Sequence, residues 1–528
     1  MSAIRQEAPP ASAHRATGSR PVRSLAVVEA SRLIRHPLVL GTMALCCVLW
    51  IYQTAVTHDT AFPVLHDQDR YLQTQLLILA AGVFLGTHIA VLRSARDETE
   101  PWFALMVLTP WQRTAAHLLA VLPVAGLAAL LVTVRIVWLA LLPGAIGSPS
   151  PAELATSPAV VLLAGTLAVL TGTLVRAVAA GPLILGVAAI ATVAGGIADS
   201  SSWRWLLPTA EEDDMRTALP AHLLDRPAGP HLVYVLLLVA VCAVGALLRA
   251  GMASAAVRTA GVLALVGAVS VGALQLQHAR DGAAEAQALD SPSRQQRCAE
   301  EGGVRYCAYP DFTDRREQWA PVARAILAPL PVEARNARYV VRQHISPDTG
   351  PLVVLDVAGM LRKWALDDRR AGTPGAVVVG THWGDHSDQG SDATAGFATE
   401  FAHRAVAGEG AALDAASPSG TVRACGARAV VSVWLAGQAA PMTERALRSV
   451  LGRSGGDVVG FAGTLSTTEF GRMETDLGMA LLDRPRDDVA RGVRRSWDEL
   501  TAAATTARRA AELLGVPVPA GSGKGCAS

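Results

Sequence analysis

Seven apolar stretches, each about as long as a helical membrane span, fill the first half of the 528-residue chain and dictate what it folds into. They run at 38–56, 75–93, 116–142, 158–175, 179–198, 231–249 and 258–276. A bilayer core takes about 20 apolar residues per helix. Backbone in hydrocarbon must satisfy its own hydrogen bonds, so each stretch is predicted to be helical. Only Arg176 and a short turn before Pro182 separate the fourth from the fifth. Joined as one re-entrant hairpin, these two would reduce the count to six or fewer. The expected fold is mainly α: a polytopic helical membrane bundle of six or seven spans, followed by a soluble α+β domain.

Charge is distributed unevenly around this division. Of 46 basic residues 17 precede residue 278, and of 45 acidic residues 15 do so. The first half is poor in charge and the second has ordinary soluble composition. A near-neutral chain that is 51% hydrophobic is neither a disordered polymer nor a basic nucleic-acid binder. Three regions follow: a polar, disordered cytoplasmic N-terminus at 1–21, a transmembrane region at 22–277 and a soluble domain at 278–528. With the N-terminus in the cytoplasm, twelve arginines fall on the inner side. Four, Arg70, Arg204, Arg216 and Arg226, fall in outer loops. This bias obeys the positive-inside rule and predicts a multi-pass plasma-membrane protein whose C-terminal domain is extracytoplasmic.

No Asp or Glu falls within the seven stretches, and His88, His117 and His231 lie toward their ends. Ion-coupled carriers keep ionisable groups at mid-membrane, so transport here would draw energy from elsewhere. Arg135 is expected to snorkel, with a place on a substrate path as its alternative. Trp203 and Trp205 fit an interfacial belt, and Glu211 to Asp214 a solvated acidic loop.

Residues 22–36 are predicted to form an amphipathic helix in the headgroup layer. Ala26, Val27, Ala30, Leu33 and Ile34 share one face, and Glu29, Arg32, Arg35 and His36 the other. Between the second and third spans, Asp97, Glu98 and Glu100 precede Pro101 and Trp102, a good helix start. Phe103, Leu105 and Leu108 follow, then Pro110 and Arg113. This short apolar helix cannot span a bilayer. It calls for a partner's groove or the membrane surface.

The step Glu29-Ala-Ser-Arg32, the run Arg35-His36-Pro37 and the acid-rich loop ending in Leu108-Thr-Pro110 and Arg113 resemble the membrane subunits of type-2 ATP-binding-cassette exporters, in actinobacterial form. The likeness covers about 22–276. It implies that Glu29, Arg32 and Arg35 belong to an interfacial elbow helix. It also implies that 97–113, through Glu98, Glu100, Trp102, Phe103, Leu105, Leu108 and Arg113, docks on a separate ATPase subunit. The other implied partners are the lipid bilayer and a second copy or a similar permease subunit, with no nucleic acid. The chain departs from the family's six-span core and adds a large C-terminal domain.

The chain supplies no ATPase of its own. The tail Gly521-Ser522-Gly523-Lys524-Gly525 fails the phosphate-loop pattern at both ends. In the second half, Gly452-Arg-Ser454-Gly-Gly456 matches a nucleophile elbow, yet no histidine follows His403 to complete that fold's triad. His382, Asp385, His386 and Asp388 could ligate a metal but better fit a polar surface loop. No enzyme activity, cofactor or metal is therefore expected. Cys298, Cys307, Cys425 and Cys526 form an even set suited to two disulfides, first Cys298 with Cys307, then Cys425 with Cys526. Helices are expected at 314–329, 393–407, 420–437, 441–452 and 486–514, and β-rich runs at 338–345, 352–357 and 376–381. The leading expectation is the membrane subunit of an ATP-dependent exporter. The alternative is a membrane-anchored receptor or envelope scaffold with an extracytoplasmic sensing domain.

Overall fold

The computed structural model describes residues 20–55, 62–99, 108–197, 205–209, 218–224, 226–278, 291–345, 356–384, 388–408 and 421–519. Helix α1 (Arg20–Ile34) leads into six helices long and apolar enough to cross a membrane. These are α2 (Pro37–Ala55), α3 (Leu65–Arg96), α4 (Pro110–Ala140), α5 (Pro151–Leu174), α7 (Ala228–Arg249) and α8 (Ala255–His278). The remaining apolar stretch forms α6 (Ala180–Ile197). Its 18 residues measure about 27 Å, slightly short of the ~30 Å hydrocarbon core.

Helix α6 starts beside His88, whose ring lies 2.7 Å from where a Cβ on Gly181 would stand. The chain is next described at Trp205, stacked under Arg70 at the other end of the bundle. The polypeptide therefore changes ends between these points and does not turn back as a hairpin. Leu183, Val187, Ile190 and Val193 on α6 are exposed, as are Leu263, Val266 and Val269 on α8, which suits contact with lipid. Inside the bundle α3, α5 and α7 pack closely. At the α4–α5 crossing a Cβ on Gly165 would fall 2.3 Å from Val121, so only glycine permits that approach.

Beyond residue 290 the chain is α/β. Strands β1 (Arg297–Glu301) and β2 (Val304–Ala308) form a hairpin. Strands β3 (Tyr339–Gln343) and β4 (Val377–Val379) extend it in parallel, in the order β1-β2-β3-β4. A second sheet has β5 (Thr421–Ala424) parallel to β7 (Thr467–Gly471), and β6 (Val458–Ala462) antiparallel to it. Around them pack α9 (Arg316–Leu327), α10 (Val357–Arg370), α11 (Asp388–Ala407), α12 (Gly426–Gln438), α13 (Pro441–Arg453), α14 (Arg472–Leu482), α15 (Arg486–Arg495) and α16 (Ala507–Leu514). Every residue from Ala429 to Gly437 on α12 is buried, as a helix apolar on all sides requires.

Several sequence expectations need correction. The helix expected at 420–437 begins as β5, and α12 starts only after it. Residues 352–355 of the expected strand at 352–357 lie outside the described residues. Val357 opens α10, because the Asp356 carboxylate accepts the Gly359 amide at 2.8 Å as an N-cap. The single helix expected at 486–514 is three. Its last part restarts where the Thr506 hydroxyl caps the Arg509 amide, and it closes at Gly515, in the left-handed region at φ +66°.

Cys298 and Cys307 stand directly opposite in the β1–β2 register and are disulfide-bonded. Cys425 is also disulfide-bonded, and Cys526 lies outside the described residues. Replacing Cys298 and Cys307 together by Ser removes a closed loop of about ten residues. Loop-closure entropy sets the loss near 2–3 kcal/mol, read as a lower melting temperature of that variant without reductant, where the Cys425 disulfide is intact in both chains.

Candidate functional site

The C-terminal domain is seated on one end of the bundle. Val64, before α3, bridges Ile146, between α4 and α5, and the Leu65 amide donates to the Ile146 carbonyl at 2.9 Å. Arg315 reaches onto this platform from the short helix Pro310–Arg315. Its side chain is buried, and it donates to the Gly144 carbonyl at 2.7 Å and to the Phe62 carbonyl. Its guanidinium lies 5.7 Å from the Phe62 ring centre. Gly144 presents its carbonyl from φ +71°, with Phe62 2.3 Å from where a Cβ would be. Burial pushes the Arg315 pKa down to about 9, so it remains a cation at neutral pH. Asp311 accepts the Ala221 amide at 2.8 Å, and His222 bonds Gln295 at 3.0 Å. Ile146, Ala218, Leu219 and Leu223, all from bundle loops, belong to the same hydrophobic core as Phe312 and Trp319.

Directly beneath lies a buried polar network. Arg70, on the second turn of α3, donates to both Glu153 oxygens at 3.1 Å, and both side chains are under 5% exposed. Gln73 donates to the Glu153 carbonyl at 3.0 Å and to its carboxylate. Asp69 accepts the Ser150 amide at 2.7 Å, and Arg226 reaches the His66 carbonyl at 2.7 Å and Asp69 at 3.5 Å. The Arg70 guanidinium lies 4.7 Å from the Trp205 ring centre. His231 is held by Gln275 at 2.9 Å and the Pro208 carbonyl at 3.1 Å.

This network overturns three expectations. Helices α3 and α5 begin well before their apolar stretches, so Asp69 and Glu153 lie within span helices. Arg70 is a buried pair partner and not an outer-loop charge. Trp205 is buried under that arginine and not in an interfacial belt; Trp203 lies outside the described residues. Arg135 does not snorkel either. It is buried, donates to Thr54 at 2.7 Å and stands 5.8 Å from the Trp50 ring centre.

The opposite end of the bundle carries the residues that the sequence singled out. In α1, Glu29 turns inward with Ala26, Ala30 and Leu33, while Val27 is 69% exposed. The expected polar and apolar faces are therefore wrong at these two positions. The reason is an ion pair: Glu29 meets Arg32 at 3.0 Å and Arg93, on the last turn of α3, at 3.5 Å. Arg35 is exposed. Of the expected docking residues, Glu100, Trp102, Phe103 and Leu105 lie outside the described residues. Glu98 is exposed with φ +52°, and Leu108 and Arg113 are half-buried. Pro110 and Arg113 are part of the first turn of α4, where the Thr109 amide donates to Gln112 at 2.9 Å.

Within the C-terminal domain, buried ionisable groups serve packing. Arg342 meets Asp368 at 2.6 Å and also bonds Gln296 and Thr373. Burial raises the Asp368 pKa to about 7, against the pull of Arg342. Glu400 accepts the Val378 amide at 3.2 Å, and burial lifts its pKa to about 7. Ser454 ends α13 with its hydroxyl on the Val450 carbonyl, which is no nucleophile geometry. Among the described residues no group of three or more His, Cys, Asp or Glu could hold a metal, and Asp385 and His386 lie outside them.

His344 is fully buried against Trp364, ring centres 4.1 Å apart, and among the described residues neither ring nitrogen has a hydrogen-bond partner. Burial, then Arg342, holds its pKa well below 6.5. Its folded-state pKa is depressed, so the contribution of this group to stability is whole above pH 6.5 and falls as pH drops below it. His344→Phe removes two unsatisfied nitrogens and keeps the stack. It should stabilise the chain by about 1–2 kcal/mol at pH 7, with the gap to the natural chain widening toward pH 5. Melting temperatures across pH 5–8 measure this.

No family model, curated protein or solved structure matches this chain.

Proposed function

We propose that this multi-pass membrane protein is the membrane subunit of an ATP-dependent export system. In this reading it forms the translocation path with a second copy or a similar subunit and couples to a separate ATPase. The observation that carries the reading is the clasp at the end of the bundle away from the C-terminal domain. Glu29 of α1 pairs with Arg93 of α3, close to the 97–113 connection that leads into α4. A push on that connection would act on three helices together. The N-terminus and this end would face the cytoplasm, and the C-terminal domain would lie outside. The test is affinity capture of the full chain from its own membranes. A nucleotide-hydrolysing subunit should come with it, and Leu108→Asp with Arg113→Glu should release that subunit without lowering the melting temperature. Capture without any such subunit sinks the proposal.

A second reading, a receptor or envelope scaffold, draws on the Arg315 seam, because a domain fixed to its spans could pass a binding event to them. It requires a ligand for the C-terminal domain and no ATPase.

A further inference from the structure

Helices α1 and α4 pack against one another but leave a gap at one level. Between them lies a cavity of about 410 Å³, lined by Ala26, Val27, Ala30, Ile34, Leu119 and Pro123, together with Ser31 and Arg35. That volume falls within the ~300–1,000 Å³ typical of ligand clefts. The lining is nearly all apolar. Val27 and Leu119 are 69% and 41% exposed, so the cavity opens to the surroundings of the bundle and not to its interior.

Its level along the bundle follows from another contact. Arg135 of α4 bonds Thr54, near the end of α2. Counting back about seventeen residues along α4, at the same rise per residue, reaches the level of Pro37, where α2 begins. That position is next to Leu119. The groove therefore opens where the apolar spans start, at the boundary between hydrocarbon and headgroups, and Arg35 stands just before Pro37.

Charge selects the occupant. Helix α1 carries Arg20, Arg23 and Arg32, and Arg35 follows it directly, against one acid, Glu29, which is already paired with Arg32 and Arg93. Arg35 makes no ion pair among the described residues. Ser31, one turn earlier, brings a hydroxyl to the same lining. A guanidinium and a hydroxyl beside an apolar trough suit a phosphate joined to an acyl chain. We propose that the α1–α4 groove binds one anionic phospholipid, with hydrocarbon against Ala30, Ile34, Leu119 and Pro123 and the phosphate on Arg35 and Ser31.

Native mass spectrometry of the purified full chain, titrated with phosphatidylglycerol or phosphatidylcholine of identical chains, tests this. One phosphatidylglycerol should bind about fivefold more tightly than phosphatidylcholine, the effect of one arginine at an anionic surface. Arg35→Glu should abolish the preference, and Val27→Trp, at an exposed position, should weaken both lipids by filling the trough. Arg32→Glu alters a charge outside the lining and should leave the preference intact. Equal loss from Arg32→Glu and Arg35→Glu overturns the proposal, because the attraction would then belong to the helix as a whole. Unchanged binding in Val27→Trp overturns it too. So does disulfide-linked dimer formation by Val27→Cys in membranes, which would give the groove to a second copy.

Discussion

Glu153→Leu is expected to cost the chain about 3–5 kcal/mol, the largest single-site loss in the bundle. The substitution takes the Glu153 carboxylate from Arg70, a buried cation over the Trp205 ring, and Gln73 loses its acceptor carboxylate. Removing both charges as Arg70→Leu with Glu153→Leu should recover much of the loss, because the cost lies in the orphaned charge more than in the absent pair. Unfolding of the four chains of this cycle in detergent, followed by tryptophan fluorescence, gives the coupling energy. Additive losses would mean that the two side chains do not act as a pair. The same cycle reads out the end of the bundle that carries the C-terminal domain, since Asp69 and Arg226 adjoin the pair through Ser150 and the His66 backbone.

Arg315→Met should be the most damaging change at the seam. Methionine fills most of the space, but the carbonyls of Gly144 and Phe62 lose their donor. At about 1–3 kcal/mol for each of the two buried carbonyls left unsatisfied, the loss is roughly 2–6 kcal/mol. Lysine carries the charge but cannot hold two carbonyls in a planar fork, so Arg315→Lys should recover only part. Hydrogen exchange locates the effect. Amides of Leu65 and Ile146 should lose protection first, while those of α12, deep in the C-terminal domain, stay protected. Uniform loss of protection would instead make Arg315 an ordinary core residue of its own domain.

How much of this was legible in the sequence depends on the physics of each element. Six apolar stretches became helices able to span a membrane, because hydrophobic length is a one-dimensional property. The disulfide between Cys298 and Cys307 was legible from count and spacing. The buried network was not. Asp69, Arg70, Gln73 and Glu153 look like solvated flanks when each is read alone, and only the three-dimensional meeting of α3 with α5 hides them from water. The sharp pairing of Arg70 with Glu153 spans 83 residues, beyond any local pattern. Glu29 misled in the same way. Its periodicity placed it outside α1, and a partner on α3 turned it in. Strands β5 and β7 pair across more than forty residues, and neither is long enough to declare itself. The Arg315 seam had no sequence signature, since its acceptors are backbone carbonyls.

The shared core at that seam bears on how the molecule is made. Ile146 and the 218–224 segment are synthesised well before the Phe312 and Trp319 they pack against. From the time the spans are laid down until the C-terminal domain emerges, Ile146, Leu219 and Leu223 stay uncovered. A ribosome that stalls or terminates in that interval leaves a half-molecule with an adhesive apolar surface, the kind of species that quality-control proteases clear. The platform therefore dictates an order of assembly, with the spans first and the domain folding onto them as its final template.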